Sequence, residues 1–253
     1  MTSAGAAAGP LGATAAPKKA IIEIGIFRLR NSPDGQSQRV AEFLKNTFLP
    51  GLQRAGIGPI GCFRNLLGGP EGPFILWMTS FPSLAAIESA EEKLSADKEF
   101  VKGMEAFGAL PGLNYVRYEN TLLRCFDSMP AVVVPPADAN RSARIFEIRT
   151  YESNSMTTLH RKMKMFDDGE IGIFRRVGMQ PVFFGETIVG RNMPNLTYML
   201  GYDDLAHRDK TWRAFGGDPE WQKMRALPGL SDAEVVSNIT NFLVSPLPFS
   251  PIR

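Results

Sequence analysis

Three closely spaced glycines give the first indication of possible chemistry. The stretch RAGIGPIGCF, residues 54–63, contains the spacing G-x-G-x-x-G. In dinucleotide-binding proteins such glycines let the backbone approach a pyrophosphate, and they follow a strand and open a helix. Here Gly56 follows the predicted end of a helix and Pro59 begins a predicted strand, which is the reverse order. Gly56 suits the left-handed position after a helix, so we predict a helix end and no nucleotide site.

Histidine could bind haem or a metal ion, and the chain has two, His160 and His207. Neither has a second ligand at the spacing of a zinc site. Met156, His160 and Met163 share one helix face, a set that could suit copper, but the basic neighbours of His160 would repel a cation. Both histidines are predicted to lie on solvated helix faces. The sequence predicts no metal site, and haem binding stays an alternative.

A third group of residues combines large aromatic rings with an arginine. Trp212 and Phe215 are three residues apart on one predicted helix face, and Trp221 follows them. The simpler interpretation is core packing between helix and sheet. The alternative is the wall of an apolar ligand pocket, to which Arg149 and Tyr151 of a neighbouring strand supply polar groups. These five residues are the candidate ligand-binding site.

The patterns of well-known catalysts are absent from the sequence. It contains no serine-nucleophile motif, no Walker loop and no cysteine cluster of a zinc site. The net charge of +2 gives no general attraction for nucleic acid. No apolar run approaches the roughly 20 residues that cross a bilayer. We therefore identify no catalytic residue and expect neither a nucleic-acid partner nor a transmembrane segment.

The elements that must position these residues occur twice. Residues 23–27 (EIGIF) correspond to 147–151 (EIRTY), and residues 110–113 (LPGL) correspond to 227–230 (LPGL). Further matches between these ends keep the same order. The period of roughly 120 residues is too long for a solenoid repeat. The sequence therefore predicts two domain-sized units.

Within each unit the periodicity changes from strand to helix and back. Strands are predicted at 21–30 and 144–152, then a helix of about five turns with an apolar stripe, which Pro50 should kink or break in the first unit. Two strands follow near 59–68 and 73–81, and near 181–190 and 195–202. Helices then begin at Ser83 and Asp204 and restart at Asp97 and Asp218, all good capping residues. The last strands lie near 115–126 and 233–244.

This order, β-α-β-β-α-β in each half, is typical of the ferredoxin-like unit and predicts an α+β fold. In such a sheet the strands lie in the order 4-1-3-2. Cys62 on the second strand and Cys125 on the fourth then occupy opposite edges, roughly 14 Å apart at about 4.8 Å per strand. A disulfide needs Cα atoms within about 7 Å. We therefore predict two free thiols.

The chain divides into four segments. Residues 1–20, rich in alanine and glycine, are predicted to be a disordered tail or the remnant of an export signal, with Ala13-Thr14-Ala15 as a cleavage site. Residues 21–128 form the first unit, 129–143 a proline-rich linker, and 144–253 the second unit. If the tail is a signal remnant the protein is exported to the periplasm, and otherwise it is cytoplasmic.

The second unit resembles the NIPSNAP domain. Residues 147–151 (EIRTY) resemble the E-L-R-T-Y opening of that domain, and residues 176–179 (RVGM) its first helix end. Residues 198–205 (YMLGYDDL) and the aromatic segment from Trp212 to Trp221 are similar as well. The first unit is more weakly similar, because Gly25 replaces the arginine and its second helix contains no tryptophan.

The resemblance implies a dimeric α/β barrel, in which two ferredoxin-like sheets close together with their helices outside. Here both sheets come from one chain, which makes the protein its own pseudo-dimer, with further homo-oligomers possible. With Ile148 under the helices, Arg149 and Tyr151 would point into the barrel between the units, where Arg149 needs a carboxylate such as Glu147.

The resemblance implies no agreed reaction. The first functional hypothesis is a non-catalytic barrel, without a cofactor, that binds a small apolar molecule or a protein. The alternative, by analogy with relatives in the superfamily, is an oxidative enzyme of the α/β-barrel monooxygenase type or a haem-binding protein.

Overall fold

Eight antiparallel strands form one closed barrel in a computed structural model that describes residues 18–69, 72–136 and 143–253. The strands are β1 (Ile21–Arg28), β2 (Ile60–Gly68), β3 (Phe74–Phe81), β4 (Arg117–Cys125), β5 (Ile145–Glu152), β6 (Gln180–Val189), β7 (Asn195–Tyr202) and β8 (Asn238–Pro246). Around the barrel they follow the order β1-β3-β2-β8-β5-β7-β6-β4. Each half therefore has the predicted order 4-1-3-2, and the α+β barrel fold is confirmed.

The helices lie between the strands in the same order in both halves. The first half contains α1 (Gln36–Phe43), α2 (Leu49–Arg54), α3 (Leu84–Ala96) and α4 (Lys98–Gly108). The second contains α5 (Met156–Met165), α6 (Ile171–Arg176), α7 (Leu205–Gly216), α8 (Pro219–Arg225) and a short extra helix, α9 (Asp232–Val235). A π-helical segment joins the first two helices of each half, at Leu44–Phe48 and at Phe166–Glu170.

The two halves meet along two strand pairs. β2 pairs with β8, and β4 pairs with β6, both antiparallel. The inward-facing side chains of both halves form one shared core, which includes Ile22 and Phe63 from the first half and Phe146 and Phe183 from the second. A barrel without free edges thus requires both halves of the chain.

Matching capping contacts hold the helices of each half together. The side chains of Ser83 and Asp204 accept hydrogen bonds from the first turns of α3 and α7, as predicted. Asp97 caps α4 and also accepts from Arg54 at the end of α2, with an Nη2–Oδ2 distance of 2.6 Å. In the second half, Asp218 pairs with Arg176 at 2.7 Å in the same way.

The glycines of the G-x-G-x-x-G stretch have the structural role that the sequence indicates. Gly56 has a φ of +77° directly after α2, and Gly178 has a φ of +97° directly after α6. These are left-handed conformations that favour glycine. The helix-end interpretation is confirmed.

Two expectations about the elements are wrong. Pro50 does not break its helix, because it occupies the first turn of α2, where the missing N–H is tolerated. The π-helical segment before it is not caused by proline, since the second half has the same segment without one. The last strand begins at Asn238 rather than near residue 233, because α9 precedes it.

The predicted tail and linker are described in part. Residues 1–17, which carry the predicted export segment, and residues 137–142 of the linker lie outside the described residues. At the end of the predicted tail, the N–H of Ala20 donates a hydrogen bond to the carbonyl of Pro130 at 2.8 Å. In the described part of the linker, Val133 donates to Val182 of β6. Among the described residues, no helix has the length and apolar character needed to cross a membrane.

Both cysteines are free, as predicted, and both are buried. Burial raises the pKa of Cys62 and that of Cys125 to about 12. Because the thiolate is the nucleophile, we expect iodoacetamide at pH 8 to modify neither thiol in the folded protein. After denaturation without a reductant, mass spectrometry should show two modified cysteines. A disulfide between them would contradict the strand order.

The edge pairing predicts the behaviour of a half-chain. Residues 144–253 expressed alone lose β2 and β4, so both edges, β8 and β6, are left unpaired. We expect this fragment to dimerise, with β6 of each copy against β8 of the other. Light scattering should give twice the chain mass for the fragment. As a control, the intact protein should give the mass of a single chain, which already closes the barrel. A stable monomeric fragment would contradict the pairing.

Candidate functional site

Glu147, Arg149 and Tyr151 of β5 point outward, toward the helices of the second half. Phe146 and Ile148 point inward, into the shared barrel core, whereas Tyr151 packs in the core beneath the helices. The prediction that Arg149 and Tyr151 point into the barrel is wrong. Both faces of this strand are buried, so its alternation of side chains does not identify the inner face.

A buried carboxylate organises this outward face. Glu147 accepts hydrogen bonds from Arg149 at 2.8 Å, from Arg208 at 2.8 and 2.9 Å, and from the Trp212 indole at 3.0 Å. Asn241 of β8 donates another at 2.9 Å. Burial alone would raise the pKa of Glu147, but the hydrogen bonds from Arg208 and the charge of Arg149 lower it to about 2. The predicted Glu147–Arg149 pair is confirmed.

A buried ammonium group lies close to this network. The Lys162 side chain is 1 % exposed, and its Nζ lies 3.1 Å from Glu170 and 3.4 Å from Asp232 of α9. The same nitrogen lies 4.9 to 5.5 Å from the ring centres of Tyr151, Phe166 and Trp221. Burial alone would lower the pKa of Lys162, but the two carboxylates hold it above its ordinary value. Lys162 is therefore a cation inside an aromatic cage.

The five residues predicted as a ligand site lie together. The Arg149 guanidinium is 4.6 Å from the Trp212 ring and 5.5 Å from the Tyr151 ring. The Phe215 and Trp221 rings are 4.6 Å apart, and both side chains are buried. These contacts fill the space between helices and sheet, which favours the core-packing interpretation. Ligand binding among the five residues stays a prediction.

An open cavity lies in the first half instead. Its volume is about 620 Å³, and it lies between the sheet and helices α1 and α4. Eight aromatic side chains line it: Phe27, Phe43, Phe48, Trp77, Phe100, Phe107, Tyr115 and Tyr118. Met104 and Leu113 complete its apolar wall. A cavity of this size and character suits a small, largely apolar ligand.

The second half has closed the equivalent space. The π-helical segments begin at residues 44 and 166, an offset of 122, so Val40 corresponds to Lys162 and Phe48 to Glu170. Three residues separate Leu113 from β4, but seven separate the equivalent Leu230 from β8. The four extra residues form α9, whose Val235 is buried in the second-half core and whose Asp232 pairs with Lys162. The first half has neither the helix nor the ion pair.

At one end of the open cavity, the first half lacks positive charges that the second half has at equivalent positions. Glu23 corresponds to Glu147, but Gly25 stands in place of Arg149. A side chain at Gly25 would collide with the Trp77 indole, so the glycine makes room for one wall of the cavity. Asn120 donates hydrogen bonds to both Glu23 and the Tyr118 hydroxyl. Burial, with the charge of Glu91, raises the pKa of Glu23 despite that hydrogen bond.

The histidines form no metal site in the described part of the chain. His160 is largely exposed, as predicted, and lies 3.6 Å from Glu186. The prediction of a solvated His207 is wrong, because its half-buried ring accepts a hydrogen bond from the Asp203 backbone and packs edge-on against Tyr202. The described residues include no cluster of three or more histidine, cysteine or carboxylate side chains that could hold a metal ion.

The difference between the two halves is the sequence signal for the open cavity, and composition alone does not show it. The aromatic residues of the first half are typical of a core, and Lys162 in a basic helix is typical of a solvated face. A position-by-position alignment of the two halves shows how they differ, since it places Val40 opposite Lys162 and Gly25 opposite Arg149. It also exposes the insertion that becomes α9.

Comparison with known proteins gives a family for the second half and a fold for the whole chain. Residues 146–251 match the sequence model of the NIPSNAP family. A NIPSNAP-like protein from Burkholderia xenovorans, itself uncharacterised, is 24% identical over 43% of this chain and 90% of its own, with a TM-score of 0.38. No curated protein matches the sequence.

Two other solved structures cover nearly the whole barrel. A candidate monooxygenase from Fusobacterium nucleatum has a TM-score of 0.59 and 8% identity over 90% of this chain and 93% of its own. An anthrone oxidase-like protein has a TM-score of 0.53 and 12% identity over 92% of this chain and 93% of its own. At these identities the likeness shows the fold alone.

Glu147 and Glu23 occupy equivalent positions in different environments, so replacing each with glutamine should affect stability differently. Glu147→Gln should lower the free energy of unfolding at pH 7 by roughly 3 kcal/mol, because half-buried Arg149 and Arg208 lose their charged and fully buried partner. Glu23→Gln is the matched control and should be neutral or stabilising, since Glu23 has a raised pKa. Urea denaturation followed by circular dichroism measures both.

The pH dependence follows from the direction of the Glu147 shift. Its folded pKa of about 2 lies below the ordinary value of 4.5. The carboxylate therefore stabilises the fold above about pH 4.5, and this contribution is lost as the pH falls toward 2. The difference between the wild type and Glu147→Gln should shrink over that range. Equal losses for the two substitutions at pH 7 would contradict this account.

Proposed function

Because residues 146–251 match the sequence model of the NIPSNAP family, we propose that this protein is a ligand-binding member of that family, built as a barrel with one open and one closed cavity. Its role is to hold a small, largely apolar molecule without transforming it. The observation that carries this proposal is the aromatic cavity of about 620 Å³ in the first half. The equivalent space in the second half is occupied by α9 and the Lys162–Glu170 pair.

The lining of the cavity supports binding over catalysis. Trp77, Phe43 and Phe27 are buried and fixed by the sheet and α1, so the apolar wall exists before a ligand arrives. Preformed aromatic walls reduce the entropy that is lost on binding. Around the mouth, Met104, Leu113 and Tyr118 are exposed, which gives a ligand an apolar way in.

A second candidate function is an oxidative enzyme of the monooxygenase type. Its support is the likeness in fold to the candidate monooxygenase and the anthrone oxidase-like protein, together with the Glu23 carboxyl group near the cavity. Oxygen uptake with an aromatic substrate, or a Soret band after the addition of haemin, would favour this alternative. We also propose a protein partner that covers the mouth of the cavity, and export of the protein. A ligand site at Arg149, Tyr151, Trp212, Phe215 and Trp221 is a further proposal.

The methionines offer a direct test of ligand binding. Met104 lines the cavity on α4, whereas Met156 lies on α5 in the other half, and they are 43 % and 48 % exposed. In protein labelled with ¹³C-methyl methionine, naphthalene should shift the Met104 methyl resonance and leave that of Met156 unchanged. Ring currents from the bound molecule and the lining aromatics give the shift.

Two alanine variants control this experiment. Met104→Ala should weaken naphthalene binding several-fold, as measured by isothermal titration calorimetry, because the ligand loses an apolar contact of about 1 kcal/mol. Met156→Ala is the matched control and should leave the affinity unchanged. A titration in which the Met104 methyl stays unshifted at saturating naphthalene would argue against a binding cavity. Mass spectrometry of molecules that copurify with the protein would identify the natural ligand.

A further inference from the structure

The closed half of the barrel shows how this architecture holds a positive charge. The Lys162 ammonium lies over the rings of Tyr151, Phe166 and Trp221, with Glu170 as its counter-ion at 3.1 Å. A cation over an aromatic face is attracted by the negative potential of the ring, most strongly where water is excluded. The chain itself supplies this cation.

The open half keeps two of the three aromatic positions of this cage and lacks the cation, and Leu44 stands at the position of Phe166. Phe27 stands at the position of Tyr151, and Phe100 at that of Trp221, and both line the cavity. Val40 replaces Lys162 and is fully buried. Trp77, Tyr115 and Tyr118 add three further rings. The first half therefore has an open aromatic cavity and an apolar residue where the second half has a lysine among its rings.

The electrostatics of the open cavity favour a positive ligand. No lysine or arginine is among the described residues that line it. Its Tyr118 end adjoins Glu23, where Gly25 and Ile87 stand at the positions of Arg149 and Arg208, and Glu91 stands at that of Trp212. At the rim, the Arg39 guanidinium donates to the Pro111 carbonyl and to Asn114. Near the cavity, Glu23 therefore has a carboxylate neighbour in place of two cations.

The kind of cation follows from hydrogen bonding. A primary ammonium has three N–H donors, and Lys162 finds two carboxylate acceptors for its own, Glu170 and Asp232. The open cavity has Phe48 at the position of Glu170 and has no α9, so the N–H donors of a primary ammonium would lack these acceptors. An ammonium whose hydrogens are replaced by alkyl groups has no such requirement and presents an apolar surface to the rings.

We infer that the first-half cavity binds a small organic cation, an alkylated ammonium group joined to an apolar body, with its charge against the Trp77 and Tyr118 rings near Glu23. This inference rests on the proposed function, because it names the chemical class of ligand for the same cavity. The alkylated ammonium occupies in the open half the role that the Lys162 ammonium has in the closed half.

A pair of probes with the same shape separates charge from apolar fit. Trimethylphenylammonium and tert-butylbenzene differ in the charged nitrogen that replaces one carbon. In titrations of the full-length protein, followed by the Met104 methyl resonance, we expect the cation to bind about tenfold more tightly than the neutral probe, as one desolvated cation–π contact allows.

Two variants locate the source of the preference. Glu23→Gln keeps the shape of the side chain and removes its charge. It should weaken binding of the cation roughly five-fold and leave tert-butylbenzene unchanged. Met104→Lys, which places a positive charge at the mouth, should weaken binding of the cation more than the neutral Met104→Leu does. Isothermal titration calorimetry measures these two affinities, because both variants lack the Met104 methyl group. Methyl resonances elsewhere in the chain report whether each variant is folded.

The outcomes distinguish the two proposals. A preference for the cation that falls in Glu23→Gln and Met104→Lys supports the inference. Equal or tighter binding of tert-butylbenzene would overturn the cation and leave the apolar binding function in place. The same conclusion would follow if naphthalene bound and neither new probe did. Failure of naphthalene as well would overturn the proposed function itself.

Discussion

Pairing between the edges of the two half-sheets is the constraint on which the rest of the structure depends. A four-stranded sheet alone would leave two edges unpaired, and here β2–β8 and β4–β6 pair them across the halves. The inner faces then share one core, so neither half can change its inner residues independently. The space between helices and sheet in each half is free of that constraint. The two halves differ there, at the open cavity and at α9.

The divergence consists of a few coordinated substitutions. In the closed half, the Glu147 carboxylate accepts hydrogen bonds from Arg149, Arg208 and Trp212. The Glu170 carboxylate pairs with Lys162. In the open half the equivalent cations are absent, and the Trp77 ring lies over the backbone of Gly25. A buried ion pair contributes little net stability, but losing one partner is costly. The two sets of residues therefore work as alternatives, and intermediates between them would be destabilised.

Much of the architecture could be predicted from the sequence, because its signals are local. Gly56 after a helix, the caps at Asp97 and Asp218, and the repeated order of elements each specify structure within a few residues. The direction of Arg149 could not be predicted, since both faces of β5 are covered and the polar face of Glu147 and Arg149 packs under helices instead of facing water. The sequence places the candidate site in the second half, which resembles the family more closely, whereas the cavity lies in the first half. Lys162 was missed because a basic residue on a helix is usually exposed, and its burial depends on Glu170 and on the distant Asp232.

The insertion of four residues that forms α9 sets the stoichiometry of the barrel. A homodimer of identical half-barrels must open both of its cavities or neither, since each change appears twice. A fused chain carries α9 on one side only. Under the proposed function, we expect the open cavity to fill along a single-site isotherm, with one ligand per barrel and a Hill coefficient of one. The closed half would then act only as a scaffold for the other.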